Sequence, residues 1–290
     1  VLPAEGADRR LRYFTPETEV DLCGHATVAA FASLYERAVV AAGSYTVETN
    51  VGVLDVTIEE DGTVWLTQSP PEVRPVDRSL SAVADALGLD EAALSEGGAD
   101  LPLAFASTGF PFLVVPVSYF EQLSAVDPDL NAVADLCESV GARGLYAFTF
   151  DTLDAEATLH GRAFVPLAGI PEDPVTGTAS GAVGAYLRRH GALDAPDPLV
   201  FEQGHFLDRP GRVLVDTRSG VSGSAGASDD ERDGSDESGG EDDGSDDSNG
   251  SDADGADRSG AAPRVGGRAV TTVDGEITLP APDDDDIIEA

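Results

Sequence analysis

The chain has 290 residues, 41% of them hydrophobic, with 54 acidic against 17 basic residues and a formal charge of -37; length and apolar share suffice for folded cores in about two domains. All 17 basic residues are arginine, which excludes Schiff-base chemistry, pyridoxal phosphate anchoring and the phosphate-binding lysine of a P-loop. So negative a chain repels nucleic acid and anionic lipid, and no run of 18 apolar residues offers a membrane span, so neither partner is expected.

In chain order, helical periodicity at 24–37 is followed by strict alternation in SYTVETNVGVLDVTIEEDGTVWLTQ, 44 to 68. The alternation predicts two or three antiparallel strands, with Glu60-Asp61-Gly62 as the turn before Val64 and Leu66. Helices are expected at 79–88 and 129–140 and strands at 110–117, 144–151 and 157–166. A helix at 177–190, a strand at 211–216 and a hairpin over 267–280 complete the series. Few helices among many strands, without regular βαβ alternation, favour an α+β layout over a doubly wound sheet.

Part of the acidity sits in residues 228–260, which hold 14 acids and two arginines in a Gly/Ser background. This tract cannot bury apolar surface, so 219–262 reads as a disordered acidic insert with no role beyond solvation. The rest of the chain is strongly acidic too. Such a surface tolerates its own repulsion where the Debye length shrinks to roughly 3 Å near 1 M salt, which reads as adaptation to a salty cytosol. Cys23 and Cys137 are the only cysteines and no signal peptide is visible, so a reduced, cytoplasmic protein is expected. The sequence contains no Met, so Val1 is not expected to be a natural start.

Internal repetition is the most useful signal. Arg12-x-Phe14-x-Pro16 precedes DLCGHATVAAFASLYE (21–36), and Arg162-x-Phe164-x-Pro166 precedes EDPVTGTASGAVGAYL (172–187). The offset is 150 at the prolines and 153 at Gly24 and Gly177. A period this long means two similar domains rather than a solenoid, set at 1–105 and 106–290. In each copy a Gly-polar-small tripeptide opens a helix of tiny residues that other chain segments can approach closely. The first turns at Gly24-His25-Ala26 and Gly177-Thr178-Ala179 leave backbone N–H groups unpaired and carry roughly half a positive charge, which makes an anion site. If both face one cleft, they can hold a substrate carboxylate and the charge that develops when a C–H beside it ionises. Asp173 would stand beside this field and move a proton, with His25 donating or orienting. Arg12 and Arg162 are expected in structural ion pairs.

These segments, with EQG and DRPGRV at 202–213, resemble the phenazine-biosynthesis PhzF-like isomerases over nearly the whole chain apart from the acidic insert. The resemblance implies the diaminopimelate-epimerase type of fold: two pseudo-symmetric halves, each a curved antiparallel sheet around a central helix, with the active site between them. It implies cofactor-free isomerisation of a small carboxylate-bearing substrate by a homodimer. Asp173, Gly24, His25 and Thr178 fall at its site positions. That family's principal acid/base is a glutamate in a Ser-Glu-Thr motif just ahead of this segment, and no Ser-Glu-Thr occurs in the 290 residues. The first strands are expected to lie upstream of Val1, or the chain is a variant without the shuttle; either way, little or no turnover is expected.

Two-thiol racemases share that fold and need a cysteine at both helix starts. Cys23 fits the first, but Thr176 holds the second, and a hydroxyl cannot supply a thiolate; Cys23 and Cys137 then read as packing thiols. His160, His190 and His205 are scattered, so no metal site is expected. GTASGAVG lacks the GxGxxG pattern, and Ser180 lacks a GxSxG elbow. The reading from another class is a non-catalytic small-anion-binding or scaffold protein of the same fold.

Overall fold

A computed structural model describes residues 1–14, 19–95, 101–193, 198–218 and 261–276. Pro16, nearly all of the acidic insert and the end of the predicted C-terminal hairpin lie outside them. Three two-residue strands, β1 (Arg9–Arg10), β2 (Tyr13–Phe14) and β3 (Glu19–Val20), lead into helix α1 (Gly24–Glu36). Strands β4 (Gly43–Thr49), β5 (Gly52–Ile58) and β6 (Val64–Thr67) form the antiparallel meander the alternation predicts. Its second turn is pinned where the Thr63 amide donates to the Asp61 carboxylate. Then come β7 (Glu72–Pro75), α2 (Leu80–Leu87), α3 (Ala92–Ser95), β8 (Ala104–Ser107), β9 (Pro111–Pro116), α4 (Phe120–Ser124) and α5 (Leu130–Val140). The side chains of Ser79 and Asp129 cap α2 and α5, and left-handed Gly88 and Gly141 end them. The remainder is β10 (Gly144–Thr149), β11 (Leu159–Val165), β12 (Ile170–Asp173), α6 (Gly177–Arg189), β13 (Leu199–Gln203), β14 (Gly211–Asp216) and β15 (Arg264–Gly267).

Apart from the small β2–β3 ladder, the described strands form one sheet in the order β1-β4-β5-β6-β15-β14-β13-β11-β10-β9-β8-β7, with β12 added on β11. The antiparallel pattern that the family resemblance implies is broken in three places: β1 with β4, β9 with β10 and β11 with β13 run parallel. Each parallel pair is separated in sequence by a helical crossover, which that geometry demands. The crossover is α1 for the first pair, α4 and α5 for the second and α6 for the third.

The repeat is visible in register as well as in sequence. Tyr13 pairs with Val20 in the first half and Ala163 with Asp173 in the second. Arg12 donates from Nε and Nη2 to both oxygens of Glu19 (2.8 and 2.7 Å), and Arg162 does the same to Glu172 (2.9 and 2.8 Å). These are the structural ion pairs expected of both arginines.

The predicted hairpin over 267–280 is not formed among the described residues. Its strand is β15, at Arg264–Gly267, inserted between β14 and β6, so the backbone groups are satisfied by those neighbours rather than by a partner within the segment. Residues 268–276 carry no strand, and there the Thr271 amide and hydroxyl donate to the Glu36 carboxylate at the end of α1.

Two cores explain the unbroken apolar runs at 110–117 and 144–151. Phe112, Val114, Tyr146 and Phe148 share one core with Ala179, Val183 and Tyr186 of α6. Leu113, Val115, Leu145 and Ala147 point the other way, into a core with Val83 and Leu87 of α2, Leu123 of α4 and Val133 and Cys137 of α5. A sheet buried on both faces loses the polar alternation of a half-buried one. Cys137 is 0% exposed and is a packing thiol, as its helical position suggests.

The Arg162–Glu172 side chains are 8% and 12% exposed, against 43% and 29% for Arg12–Glu19. Arg162 Nη1 also donates to the carbonyls of Leu123 and Val126. Removing one partner of a buried pair strands the other charge. Arg162→Ala should therefore cost about 3–5 kcal/mol in urea unfolding at fixed salt, while Arg12→Ala should leave the midpoint close to that of the parent chain.

Candidate active site

The two repeated helices start over the same rung of the sheet. Leu66 of β6 and Val265 of β15 are direct cross-strand partners, both buried. A Cβ on Gly24 would lie 4.0 Å from Leu66 Cδ2, and one on Gly177 would lie 3.6 Å from Val265 Cγ2. Neighbouring strands are about 4.8 Å apart, so the first turns of α1 and α6 stand side by side on one face. Gln68 Nε2 donates to the Gly177 carbonyl (3.0 Å) and Thr108 Oγ1 to the Thr178 carbonyl (3.1 Å), which ties α6 to the strand ends around it. At Gly181 a Cβ would sit 1.8 Å from Gln68 Oε1, so glycine is what lets that side chain lie against the helix.

The helix caps match. Cys23 and Thr176 are both extended N-cap residues whose side chains make no cap hydrogen bond. One turn on, the hydroxyls of Thr27 and Ser180 each donate to the cap carbonyl at 2.9 Å. Among the described residues no acceptor pairs with the amides of Gly24, His25, Gly177, Thr178 or Ala179. Ala179 is fully buried, amide included, so it lies beneath the outer surface of this first turn.

Asp173 ends β12 opposite Ala163, and Pro174 fixes φ in the turn to α6. Thr176 Oγ1 donates to Asp173 Oδ2 at 2.5 Å. Gln203, 1% exposed at the end of β13, holds the same turn from below. Its Nε2 donates to the Asp173 carbonyl (2.6 Å) and to Thr176 Oγ1 (3.1 Å), and its Oε1 accepts from the Thr176 amide (3.2 Å). Gly204 follows at φ +85°, and a Cβ there would lie 2.3 Å from the Arg209 carbonyl and 2.6 Å from that of Pro174. Only glycine lets the chain turn so close beneath the Asp173 loop.

Electrostatics join the two helix starts. Burial pushes the Asp173 carboxyl up, and the Thr176 hydroxyl and the charge of His25 pull it back only in part. His25 Nε2 lies 3.4 Å from Cys23 Sγ. The Cys23 bond raises the His25 ring above its ordinary value against the effect of burial, and the negative charges of Cys23 and Asp173 add to the rise. Burial opposes a Cys23 thiolate, but the His25 bond and the Ala26 amide, which leans toward the sulfur without closing a cap, together hold the thiol below its ordinary value. A helix N-terminus favours the same charge.

The residues singled out from sequence thus share one place: Asp173 and His25 feel each other's charge, and Gly24, Ala26, Gly177, Thr178 and Ala179 form the two first turns around them. Three participants escape a sequence reading. Cys23 packs against the core as expected, yet its sulfur also engages His25. Thr176 reads only as a missing thiol but binds the Asp173 carboxylate. Gln203 lies 30 residues from Asp173 in a strand, and its one signal is its place in the EQG segment.

A sequence profile described as phenazine biosynthesis-like protein, PhzC-PhzF, matches residues 1–228. The chain belongs to this family. It is 38% identical over 218 residues, 73% of each chain, to the uncharacterized isomerase YfhB of Bacillus subtilis. Among solved structures it is similar to a Bacillus anthracis phenazine biosynthesis protein of the PhzF family, at TM-score 0.66 and 35% identity over 74% of this chain and 73% of that one. A hydroxyproline epimerase from Agrobacterium vitis, solved with bound trans-4-hydroxy-L-proline, shares the fold at TM-score 0.53 and 14% identity over 92% of this chain and 70% of that one. With family and relatives in agreement, the chain is an isomerase of the PhzF type on an α+β, epimerase-like fold.

The two thiols should differ sharply in reactivity. Cys137 is fully buried and pushed up to about 12, so iodoacetamide near neutral pH should label one site per chain, Cys23. His25→Ala removes the positive partner, so the thiol midpoint should rise and labelling at pH 7 should slow several-fold, as read by mass spectrometry across a pH series.

Proposed function

We propose that this isomerase moves a proton on a small carboxylate-bearing metabolite without a cofactor. Asp173 takes and returns the proton and His25 assists. The amides of Gly24, Ala26, Gly177 and Thr178 hold the substrate carboxylate and the charge that develops beside it. The reading is carried by one observation: Asp173 and His25 are electrostatically coupled where two uncompensated helix starts stand on the Leu66–Val265 rung. A carboxylate whose proton affinity is raised by burial is a better base than one in water, and a positive ring beside it helps to balance a developing enolate. In the family the chain resembles, the second proton carrier is a glutamate of a Ser-Glu-Thr motif, which the 290 residues do not contain.

A non-catalytic anion binder of the same fold is the second reading, favoured by the absence of Ser-Glu-Thr from the 290 residues. Solvent exchange separates the two. In D2O, the protein purified from its source should place deuterium on the carbon next to the carboxylate of at least one member of a panel of amino, hydroxy and unsaturated acids, scored by NMR. Asp173→Asn should cut that rate by about 10²–10⁴-fold and His25→Asn by less. Binding without exchange would leave the anion binder, and exchange that Asp173→Asn leaves intact would exclude Asp173 as the proton carrier.

A further inference from the structure

We infer that Gln203, acting through Thr176, holds the Thr176 hydroxyl proton on Asp173 Oδ2 and so leaves Oδ1 as the oxygen that exchanges a proton with substrate. The inference rests on reading Asp173 as the acid/base of the site and assigns it two positioning residues.

Hydrogen-bond direction tells the two oxygens apart. The Gln203 amide has one workable orientation: the Asp173 carbonyl can only accept, so it needs Nε2, and the Thr176 amide can only donate, so it needs Oε1. The second Nε2 hydrogen then goes to Thr176 Oγ1. A hydroxyl owns one proton, and since Oγ1 accepts from Gln203 its own proton is free for Asp173 Oδ2. At 2.5 Å this is the length of a bond to a charged acceptor. Thr176 is 7% exposed and Gln203 1%, so no solvent competes for the arrangement. Among the described residues Oδ1 accepts no hydrogen bond.

The charged surroundings leave this chain of bonds as the adjustable contact. From the start of α1, His25 acts on Asp173, and Asp173 in turn acts on Cys23, the residue before the helix. Glu172 faces the opposite side of β12, where Arg162 of β11 occupies both its oxygens. From β13, Gln203 is neutral, and Glu202 is turned away toward His160, which it meets at 2.9 Å. A donor to one carboxylate oxygen lowers proton affinity there and confines protonation to the other.

The test is a ¹³C NMR titration of the 290-residue chain labelled at aspartate carboxyls, with the Asp173 signal identified by its loss in Asp173→Asn. Thr176→Val removes the donor at nearly constant shape and should raise the Asp173 midpoint by about one pH unit, while Thr176→Ser should leave it where it is. Gln203→Glu should raise it as well, because the new carboxylate draws the Thr176 proton off Asp173. A role limited to packing would leave the Thr176→Val midpoint unmoved, because that variant adds no charge. An unmoved midpoint in a folded Thr176→Val chain, or in Gln203→Glu should the valine variant not fold, would overturn the inference. The failure of the isomerase reading shows elsewhere, as deuterium exchange indifferent to Asp173→Asn with the titration shifts intact.

Discussion

The pairing of Leu66 with Val265 is the constraint on which the rest depends. β6 belongs to the first meander and β15 to the last described segment, so one ladder joins opposite ends of the sequence. It sets two helix starts close together, each with about half a positive charge that has no backbone partner. Like-signed helix ends repel at this range, and the fold answers with negative groups: Asp173 after one strand, and a Cys23 thiol held toward its anion before the other helix. A bound carboxylate would extend the same compensation. On the proposed reading, anion affinity would be a by-product of how β15 pairs with β6.

The two halves keep the same parts for structure and different parts for chemistry. Each has an Arg–Glu pair, a hydroxyl bonded back to the cap carbonyl and a helical crossover between parallel strands. Where the second half has Asp173 the first has Val20, and where the second has Thr176 the first has Cys23. Burial diverges as well. Helices α4 and α5, joined by α2 from residues 1–105, pack on one face of β9 and β10, and the α4–α5 connection reaches Arg162, so its Arg–Glu pair is enclosed while the first lies at the surface.

The elements legible in the sequence are those governed by local pattern. The β4–β6 meander follows from alternation and the α2 and α5 boundaries from caps and glycines, while α1 and α6 stand out because small residues recur at an offset of 153. β7, β8, β12 and β13 escape that reading: they are four or five residues long, too short to show a period, and β7 and β13 each have a partner far along the chain. The segment 267–280 has the pattern of a self-contained hairpin, but β15 draws both its neighbours from elsewhere. The site divides in the same way. Asp173, His25 and the first-turn glycines can be read from the repeat, because the repeat states which positions correspond. Gln203 and Thr176 cannot, since their part depends on which oxygen receives which proton, a matter of angles between distant strands.

The position of the acidic tract has a consequence for how the chain tolerates change. Asp216 and Arg264 are register partners in the β14–β15 ladder, and Arg264 Nη2 lies 2.8 Å from Asp216 Oδ2. Everything between them is spliced into what is topologically a hairpin end. The entropy of closing such an end grows only with the logarithm of the intervening length, about 0.6 kcal/mol per doubling. The Asp216–Arg264 pair fixes the alignment of β14 and β15 at this end, so a change in the length of the connection there should cost the two strands little.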